Sequence, residues 1–426
     1  MLRFSASRGS WLVAITAALA ACSPSPATDS GVDTGVAQDS ASSDVADATV
    51  SMDVADGAID DSASPTDTGV SRYTFPDAIP MVGDPSAIDP RVRGPFRTGY
   101  RVLMHTYTPR GSRTPRTIPV HIWYPTWALT GPTVTYQRLV VDRESFRDAP
   151  PAPPAHAMGY PVHVFSHGDR GFGGTTAFLC RYFASHGWVT IAPDHVGNTL
   201  SDTPSPRPYA LYHLRSQDVS AALDAIDALP MTDPLKQLGA LRTTRTVLSG
   251  HSFGTHTVWT SAGATFDVER IRPSCTAANA CTPEDMTAFG QNYRDARFVA
   301  GIPMAGSINR NLFGPTGHES VTTVMSMPRA FPMLAMSGTA DPVGAEGQFD
   351  STAPMPLTWL DIRGACHQFF AIGACTDIPD ADQDRIVGAW ALAFARRHVL
   401  DDATMHVRSL LDGSAPVSDR VALRSR

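Results

Sequence analysis

The sequence predicts an α/β protein with a mostly parallel central sheet and helices on both faces. Two observations support this class. From about Tyr100 onward, short apolar runs alternate with helical stretches, which is the pattern of strand–helix–strand units. The apolar fraction of 42% and the charged fraction of 18% are near the globular average, so a large core can form. In this architecture, functional sites lie at the carboxyl ends of the strands.

The first strands are predicted from three runs, YRVLMHTY, TIPVHIWYP and YPVHVFSHG. A helix is expected from about Thr175 to His186, followed by a buried strand, WVTIAPD. The next segment has apolar residues close to helical spacing at Leu214, Val219, Leu223, Ile226 and Leu229. Later strand candidates are RTVLSG, ARFVAGIPM, FPMLAMSG and PLTWLDIRG. A helix from Asp384 to about Val399 closes the pattern.

The first 21 residues have the features of an export signal. Arg3 and Arg8 precede the apolar run WLVAITAALAA, which is too short to span a bilayer. The run ends in LAAC, which resembles the lipobox of bacterial lipoproteins, and this resemblance implies acylation of Cys22. Ser23, rather than Asp, follows, as in lipoproteins sent to the outer membrane. We therefore expect an exported protein held at a membrane only through its N-terminal lipid; the alternative is an ordinary secretory signal with an incidental Cys22.

Residues 22–72 are predicted to be an acidic, disordered tether. They contain ten Asp, no Glu and one basic residue, and residues 23–71 have neither an aromatic residue nor Leu. Such a segment cannot bury enough apolar surface to offset its chain entropy. The remaining residues, 73–426, carry equal numbers of acidic and basic residues and form the predicted globular domain. Because no basic patch is present, a nucleic-acid partner is not expected.

The sharpest local motif is GHSFG, residues 250–254. It follows the strand candidate TRTVLS and precedes the helix candidate HTVWTSA. A G-x-S-x-G turn between a strand and a helix exposes its Ser as a nucleophile, and the flanking Gly residues avoid clashes in the tight bend. Ser252 is therefore the candidate nucleophile. The alternative is a glycine-flanked turn serine without chemistry.

A nucleophilic Ser needs a base and a carboxylate that orients the base, in the chain order Ser, acid, His. Asp341 follows the strand candidate FPMLAM, and His367 follows LTWLDI, so both lie at strand ends. These residues are the predicted acid and base.

Rival residues are less well placed. Asp350 is farther from a strand end, and Asp361 lies within a strand candidate. His398 lies near the end of the last predicted helix, where a surface role is typical, and His318 lies in the loop GPTGHES.

An oxyanion hole needs two backbone N–H donors, one after the nucleophile and one from the loop after an early strand. The first is Phe253. The second is assigned to Asp169 in the loop SHGDRG after VHVF. A phosphate-binding loop is the alternative for this stretch, but the Gly-Lys-Ser/Thr ending and the GxGxxG spacing are both missing.

Several segments together resemble the α/β-hydrolase superfamily, and within it the predicted dienelactone hydrolases related to platelet-activating-factor acetylhydrolases. The similar stretches span about residues 100–400 and are VHIWYP, VFSHG, FASHGWVTIAPDHVGNT, the R-x-x-D of Arg215 to Asp218, GHSFG, GTADPV and GACHQFF. The resemblance implies an α/β-hydrolase fold and a cofactor-free serine hydrolase of carboxylic esters, with Ser252, Asp341 and His367 as triad. The sequence departs from the family in two ways: true dienelactone hydrolase has a Cys nucleophile, and Thr255 stands where relatives often have a second Gly.

Three alternatives to a small-molecule or lipid esterase stay open. Polyester hydrolases are cousins, but their aromatic residue after the oxyanion-loop glycine is replaced here by Asp169. A surface binding module on a hydrolase shell is the non-catalytic alternative. A peptidase or acyltransferase on the same core is the third.

Five cysteines remain after Cys22, and export permits disulfides. We pair Cys275 with Cys281 and Cys366 with Cys375 because each pair is close in sequence, although four Cys allow three pairings. Cys180 is expected to be a buried free thiol. No HExxH or clustered CxxC motif suggests a metal. Residues 268–295 form a predicted insertion after the nucleophile helix, either a lid or wall of the acyl pocket or a surface decoration.

Overall fold

A computed structural model of this protein describes residues 72–80, 82–306, 310–313, 331–343, 346–353 and 355–426. Within these residues, eleven strands form one mixed sheet. These residues belong to one compact unit. The predicted signal peptide (1–21), the acylated Cys22 and the tether up to residue 71 lie outside the described residues.

The strands are β1 (Arg97–Tyr107), β2 (Arg116–Thr126), β3 (Thr133–Tyr136), β4 (Val140–Arg147), β5 (Tyr160–Ser166), β6 (Val189–Pro193), β7 (Leu241–His251), β8 (Phe298–Met304), β9 (Met333–Gly338), β10 (Leu357–Ile362) and β11 (Val421–Ser425). Their order across the sheet is β11-β10-β9-β8-β7-β5-β6-β2-β1-β4-β3. From β6 to β10 every neighbouring pair is parallel, whereas β2 is antiparallel to both β1 and β6. The expected α/β class with a mostly parallel sheet is therefore confirmed.

The helices are α1 (Ala177–Ser185), α2 (Leu211–Asp227), α3 (Pro234–Leu238), α4 (Gly254–Ala262), α5 (Val268–Ile271), α6 (Pro283–Phe289), α7 (Arg310–Phe313), α8 (Glu346–Ser351), α9 (Ala389–Val399) and α10 (Met405–Leu411). Within the described ranges, no helix has both the length and the apolar character needed to cross a membrane.

The helices cover both faces of the sheet, and the alternation of side chains along each strand divides the core in two. Val164 of β5 packs with α2 and α4 on one face. Its neighbour Phe165 packs with α1 and α9 on the other. Because successive strand residues point to opposite faces, a strand covered on both sides is apolar throughout, and β5 and β6 are buried at every position.

The sequence did not predict β3, β4 or β11. These strands lie toward the two edges of the sheet, and none of them is buried along its whole length; β3 and β11 are also only four and five residues long. The expected last helix also differs, because it begins with a π-helical turn, Asp384–Gly388. Gly388 lies against the ring of Tyr182 there, so close that an added Cβ would be 2.7 Å from its Cγ.

The insertion at 268–295 contains α5, two 3-10 turns and α6. Both expected disulfides are confirmed, Cys275–Cys281 within the insertion and Cys366–Cys375 beyond β10. The insertion contacts the start of α2, since the Tyr209 N–H donates to the Asn279 carbonyl at 3.3 Å and His213 Nε2 lies 3.2 Å from Asp285.

Candidate active site

Ser252 occupies the sharp turn between β7, which ends at His251, and α4, which begins at Gly254. Its φ is 52°, a left-handed conformation that is strained for a residue with a side chain. The flanking glycines are required by space: an added Cβ at Gly250 would be 2.2 Å from the Gly254 carbonyl oxygen, and one at Gly254 would be 2.1 Å from the Ser166 carbonyl oxygen. The sequence thus folds here into the bend that G-x-S-x-G requires.

Hydrogen bonds hold the turn in place. The Ser252 N–H donates to the Met304 carbonyl of β8 at 2.9 Å, and the Thr255 N–H donates to the Ser252 carbonyl at 2.9 Å. The Ser252 side chain is half-buried. Its Oγ has no hydrogen-bond partner among the described residues, so the hydroxyl is open to an incoming group.

Asp341 and His367 are in contact at the ends of two neighbouring strands. Asp341 lies three residues beyond β9, and His367 follows β10 after a short loop. The His367 Nδ1 is 3.1 and 3.2 Å from the two carboxylate oxygens of Asp341. The Asp341 side chain is 0% exposed, and the Val343 N–H donates to its Oδ1 at 2.9 Å. A buried, oriented carboxylate of this kind can fix the tautomer of an imidazole.

The His367 ring lies beside the serine turn and is partly open to solvent. Its side chain is 27% exposed. Its ring centroid is 4.8 Å from that of His251, the residue before Ser252, and His251 Nε2–H donates to the His367 carbonyl at 3.0 Å. No hydrogen bond joins His367 to Ser252 in this part of the structure. Such nucleophile–base contacts are often long in ligand-free sites and tighten when substrate binds.

The rival residues have other partners. Asp350 lies 3.4 Å from Arg424, and Asp361 accepts a hydrogen bond from the Ser337 hydroxyl at 3.3 Å. Burial raises the pKa of Asp361. The ring of His398 packs against that of Phe394, with the two ring centroids 4.5 Å apart. His318 lies outside the described residues.

The two predicted oxyanion residues both lie near the serine turn. Phe253 caps the start of α4, and its N–H makes no hydrogen bond among the described residues. The loop after β5 reaches the same place, since an added Cβ at Gly168 would be only 3.3 Å from the Ser252 Cβ. Asp169 follows directly, so its amide also lies near the serine turn.

Arg207, which sequence reasoning missed, contacts both of these residues, because it forms an ion pair with Asp169 and packs on the ring of Phe253. The Asp169 carboxylate accepts hydrogen bonds from Arg207 Nη1 at 2.6 Å and from Asn198 Nδ2 at 2.7 Å. The Arg207 guanidinium lies 4.9 Å from the Phe253 ring centroid, and that of Arg215 lies 4.4 Å from it. Arg207 and Arg215 therefore both pack on Phe253, and Arg207 also holds the carboxylate of Asp169.

A second Ser–His–Asp cluster lies at the end of β5, where the loop that contains Asp169 begins. Ser166 Oγ is 2.9 Å from His195 Nε2, and His195 Nδ1 is 2.9 Å from Asp218 Oδ2. The His195 and Asp218 side chains are 0% exposed, and Ser166 is fully buried as well. Asp218 is further paired with Arg116 Nε at 2.7 Å. Because no substrate can reach a wholly buried hydroxyl, this cluster is part of the interior.

His195 and Asp218 belong to segments of the sequence resemblance, but their contact with Ser166 was not anticipated. Burial, with Arg215 nearby, lowers the pKa of His195 to about 4. Burial alone would raise the pKa of Asp218, but Arg116 and His195 hold it well below its usual range. The cluster therefore contains a neutral imidazole and a charged carboxylate at neutral pH.

The two disulfides indicate an oxidising environment. One of them closes the loop that carries His367, because Cys366 is bonded to Cys375. Cys180 is a buried free cysteine, as expected, and burial raises the pKa of its thiol. In the described ranges, no group of three or more His, Cys, Asp or Glu could hold a metal ion.

No protein-family model and no curated protein sequence matches this chain. The function must therefore be argued from the geometry of the site.

Proposed function

We propose that this protein is an exported serine hydrolase of the α/β-hydrolase type that cleaves carboxylic esters through an acyl-enzyme. The observation that carries the proposal is the buried Asp341 carboxylate bonded to the partly exposed His367, next to a serine on a strained strand-to-helix turn. Hydrogen-bonded acid, imidazole and open hydroxyl are the parts that nucleophilic catalysis needs.

The placement of these residues on the sheet supports the proposal. Ser252, Asp341 and His367 follow β7, β9 and β10, which are parallel strands of one sheet. Carboxyl ends of parallel strands meet at one edge, which is where α/β proteins bind their ligands. The chain order of Ser, Asp and His is that of the α/β-hydrolase triad.

Each residue has a role in the proposed reaction. The Ser252 Oγ attacks the ester carbonyl while His367 takes the hydroxyl proton, and Asp341 holds the imidazole and stabilises its charged form. The amides of Phe253 and Asp169 stabilise the oxyanion. His367 then protonates the alcohol as its bond to the acyl carbon breaks. Water next attacks the acyl-enzyme with His367 as base, and His367 returns the proton to Ser252 Oγ as the bond to the acyl group breaks and the carboxylic acid leaves. The substrate class is a small-molecule or lipid ester, with polyesters as the polymer alternative.

The location proposed is the cell surface or the outer membrane, with Cys22 acylated, or secretion if Cys22 is not modified. The two disulfides support an exported chain.

A second candidate function is a surface binding module that keeps the hydrolase shell without turnover. The observation that favours it is the missing hydrogen bond between Ser252 and His367 among the described residues. If Ser252 is not activated by His367, the fold is kept but no ester is hydrolysed.

Labelling with a fluorophosphonate probe separates the two functions, because the probe reacts only with an activated serine. We expect the wild-type protein to label and to hydrolyse a short p-nitrophenyl ester, and Ser252→Ala to do neither while unfolding at the same temperature. Ser261→Ala is the matched control, since its hydroxyl is buried on α4 without a hydrogen-bond partner in the described structure. Folded wild-type protein that does not label would favour the binding module, and labelling of Ser252→Ala would reject this nucleophile.

A further inference from the structure

His167 lies between the end of β5 and the oxyanion loop, and both of its ring nitrogens are engaged. Its side chain is fully buried. Its Nδ1 is 2.7 Å from the carbonyl oxygen of Gly168, and its Nε2 is 3.0 Å from the backbone nitrogen of His195. It touches the loop on one side and the buried Ser166–His195–Asp218 cluster on the other.

These two contacts determine the tautomer of His167. A backbone N–H can only donate, so Nε2 must accept from His195 and carries no proton. The proton of the neutral ring is then on Nδ1, which donates to the Gly168 carbonyl. Burial, together with the nearby His195 and Arg215, lowers the pKa of His167 well below its ordinary value, so the ring stays neutral.

The Gly168 carbonyl belongs to the same peptide unit as the Asp169 amide. In a planar trans peptide the C=O and N–H point in opposite directions, so fixing one fixes the other. The Gly168 carbonyl also accepts from the Gly171 N–H at 3.2 Å. Two donors on one side of the peptide hold the Asp169 N–H toward the opposite side.

The loop needs such a restraint because its backbone is permissive. It contains Gly168 and Gly171, and Arg170 has a left-handed φ of 52°. Gly171 packs closely against the His167–Gly168 hydrogen bond, because an added Cβ at Gly171 would be 3.1 Å from His167 Nδ1 and 3.2 Å from the Gly168 oxygen. Arg215 also donates to the His167 carbonyl, so the preceding peptide is held as well.

We propose that His167 is a positioning residue whose Nδ1–H, by bonding the Gly168 carbonyl, sets the direction of the Asp169 amide in the oxyanion hole. The inference rests on the proposed hydrolase function and deepens it. His167 does not touch the substrate; it acts through the peptide between Gly168 and Asp169, and the buried cluster acts on that peptide through the His195 N–H.

Three substitutions at His167 test the direction of this hydrogen bond. His167→Asn keeps an N–H near the position of Nδ1, His167→Gln keeps only an acceptor near the position of Nε2, and His167→Ala keeps neither. Removing one oxyanion donor costs ~10²–10³ in kcat. We therefore expect kcat to fall by about that factor in the Gln and Ala variants, with KM changed less than about threefold, and the Asn variant to recover most of kcat.

His163→Asn is the matched control. His163 is another fully buried histidine and lies within β5, but its partners are Ser249 at 2.7 Å and Thr190 at 3.3 Å, away from the loop. It should lower the unfolding temperature without lowering kcat. The affinity of a trifluoromethyl ketone, whose adduct with serine carries an oxyanion, should fall in parallel with kcat/KM in the His167 series and stay unchanged in the control.

The outcomes distinguish this inference from the proposed function. If wild-type protein is active but His167→Ala or His167→Gln keeps its kcat, the positioning role is wrong and the hydrolase stands. If wild-type protein neither labels nor turns over, the hydrolase is wrong. In that case, crystal structures of the wild type and of His167→Ala still test whether His167 orients the Gly168–Asp169 peptide. An unchanged peptide in the variant overturns the positioning role, and a rotated peptide supports it.

Discussion

Two Ser–His–Asp clusters in this chain differ in access to solvent and in the completeness of their hydrogen bonds. Ser166, His195 and Asp218 form two bonds of 2.9 Å each in the interior. In the exposed cluster, the Ser252 hydroxyl has no hydrogen-bond partner among the described residues. Only the Asp341–His367 pair is hydrogen-bonded there, and His367 is 27% exposed. The better-formed cluster is thus the one that no substrate can reach. Hydrogen-bond geometry alone therefore does not identify an active site. The exposure of the side chains to solvent and the strain of the backbone must be considered as well.

The buried cluster also contacts the loop that lies beside the exposed cluster. A fully satisfied buried network is rigid, because breaking any member leaves an unpaired polar group in a low dielectric. The His195 N–H and the Arg215 guanidinium hydrogen-bond to His167, at the start of the proposed oxyanion loop, and restrain it there. The exposed cluster has a serine hydroxyl without a hydrogen bond to any described residue and a partly exposed imidazole ring. Both features are what the proposed reaction requires.

The largest expected difference between the clusters concerns their carboxylates. Asp341→Asn should lower kcat by ~10⁴, the size of the corresponding change in a serine protease, with little change in stability. Asp218→Asn should instead lower the free energy of unfolding by about 3–5 kcal/mol, because it leaves the largely buried Arg116 without its charge partner. Urea unfolding and ester turnover of each variant measure the two effects. Loss of kcat in a well-folded Asp218→Asn protein, with Asp341→Asn active, would reverse the assignment of the clusters.

The second prediction concerns the disulfides, which offer a matched pair. Cys366–Cys375 and Cys275–Cys281 have sequence separations of 9 and 6, so loss of either should cost a similar free energy of unfolding, about 2–3 kcal/mol. Only the first braces the loop of His367. Replacing both of its cysteines by Ser should lower kcat by roughly tenfold or more through misplacement of the ring, whereas the other double variant keeps kcat. Equal kcat in the two variants would show that the His367 loop does not need its disulfide.

The smallest effect is a pH dependence of stability that comes from the buried cluster. The pKa of His195 is lowered to about 4 in the folded protein, so between about pH 6.5 and 4 the unfolded chain binds a proton that the folded protein does not. Stability should therefore fall as the pH is lowered through this window, by up to about 1.4 kcal/mol per pH unit for this group. His195→Gln should reduce that slope by about one proton in urea titrations at several pH values. An unchanged slope would mean that His195 is not neutral in the folded state.

Much of the candidate site could be placed from the sequence because strand ends are visible in it. Ser252, Asp341 and His367 each follow an apolar run, and these runs are the parallel strands β7, β9 and β10. The disulfides were predictable because short loops bring their cysteines together. Edge strands such as β3 and β11 could not be predicted, since they are only four and five residues long and lack the continuous apolar run of a strand that is buried on both faces.

By itself, the sequence determined the α/β class, the serine turn with its two obligatory glycines, and the order of the candidate triad, because all three depend on local pattern and strand–helix alternation. Only the tertiary structure decided the contacts of Asp169 with Arg207, of His167 with His195, and of Ser166 with the His195–Asp218 pair. The contacts within the second cluster join positions 29 and 23 residues apart. The physical reason is that such contacts depend on which strands become neighbours in the sheet and on where charges are buried, and neither is written in any short stretch of the chain.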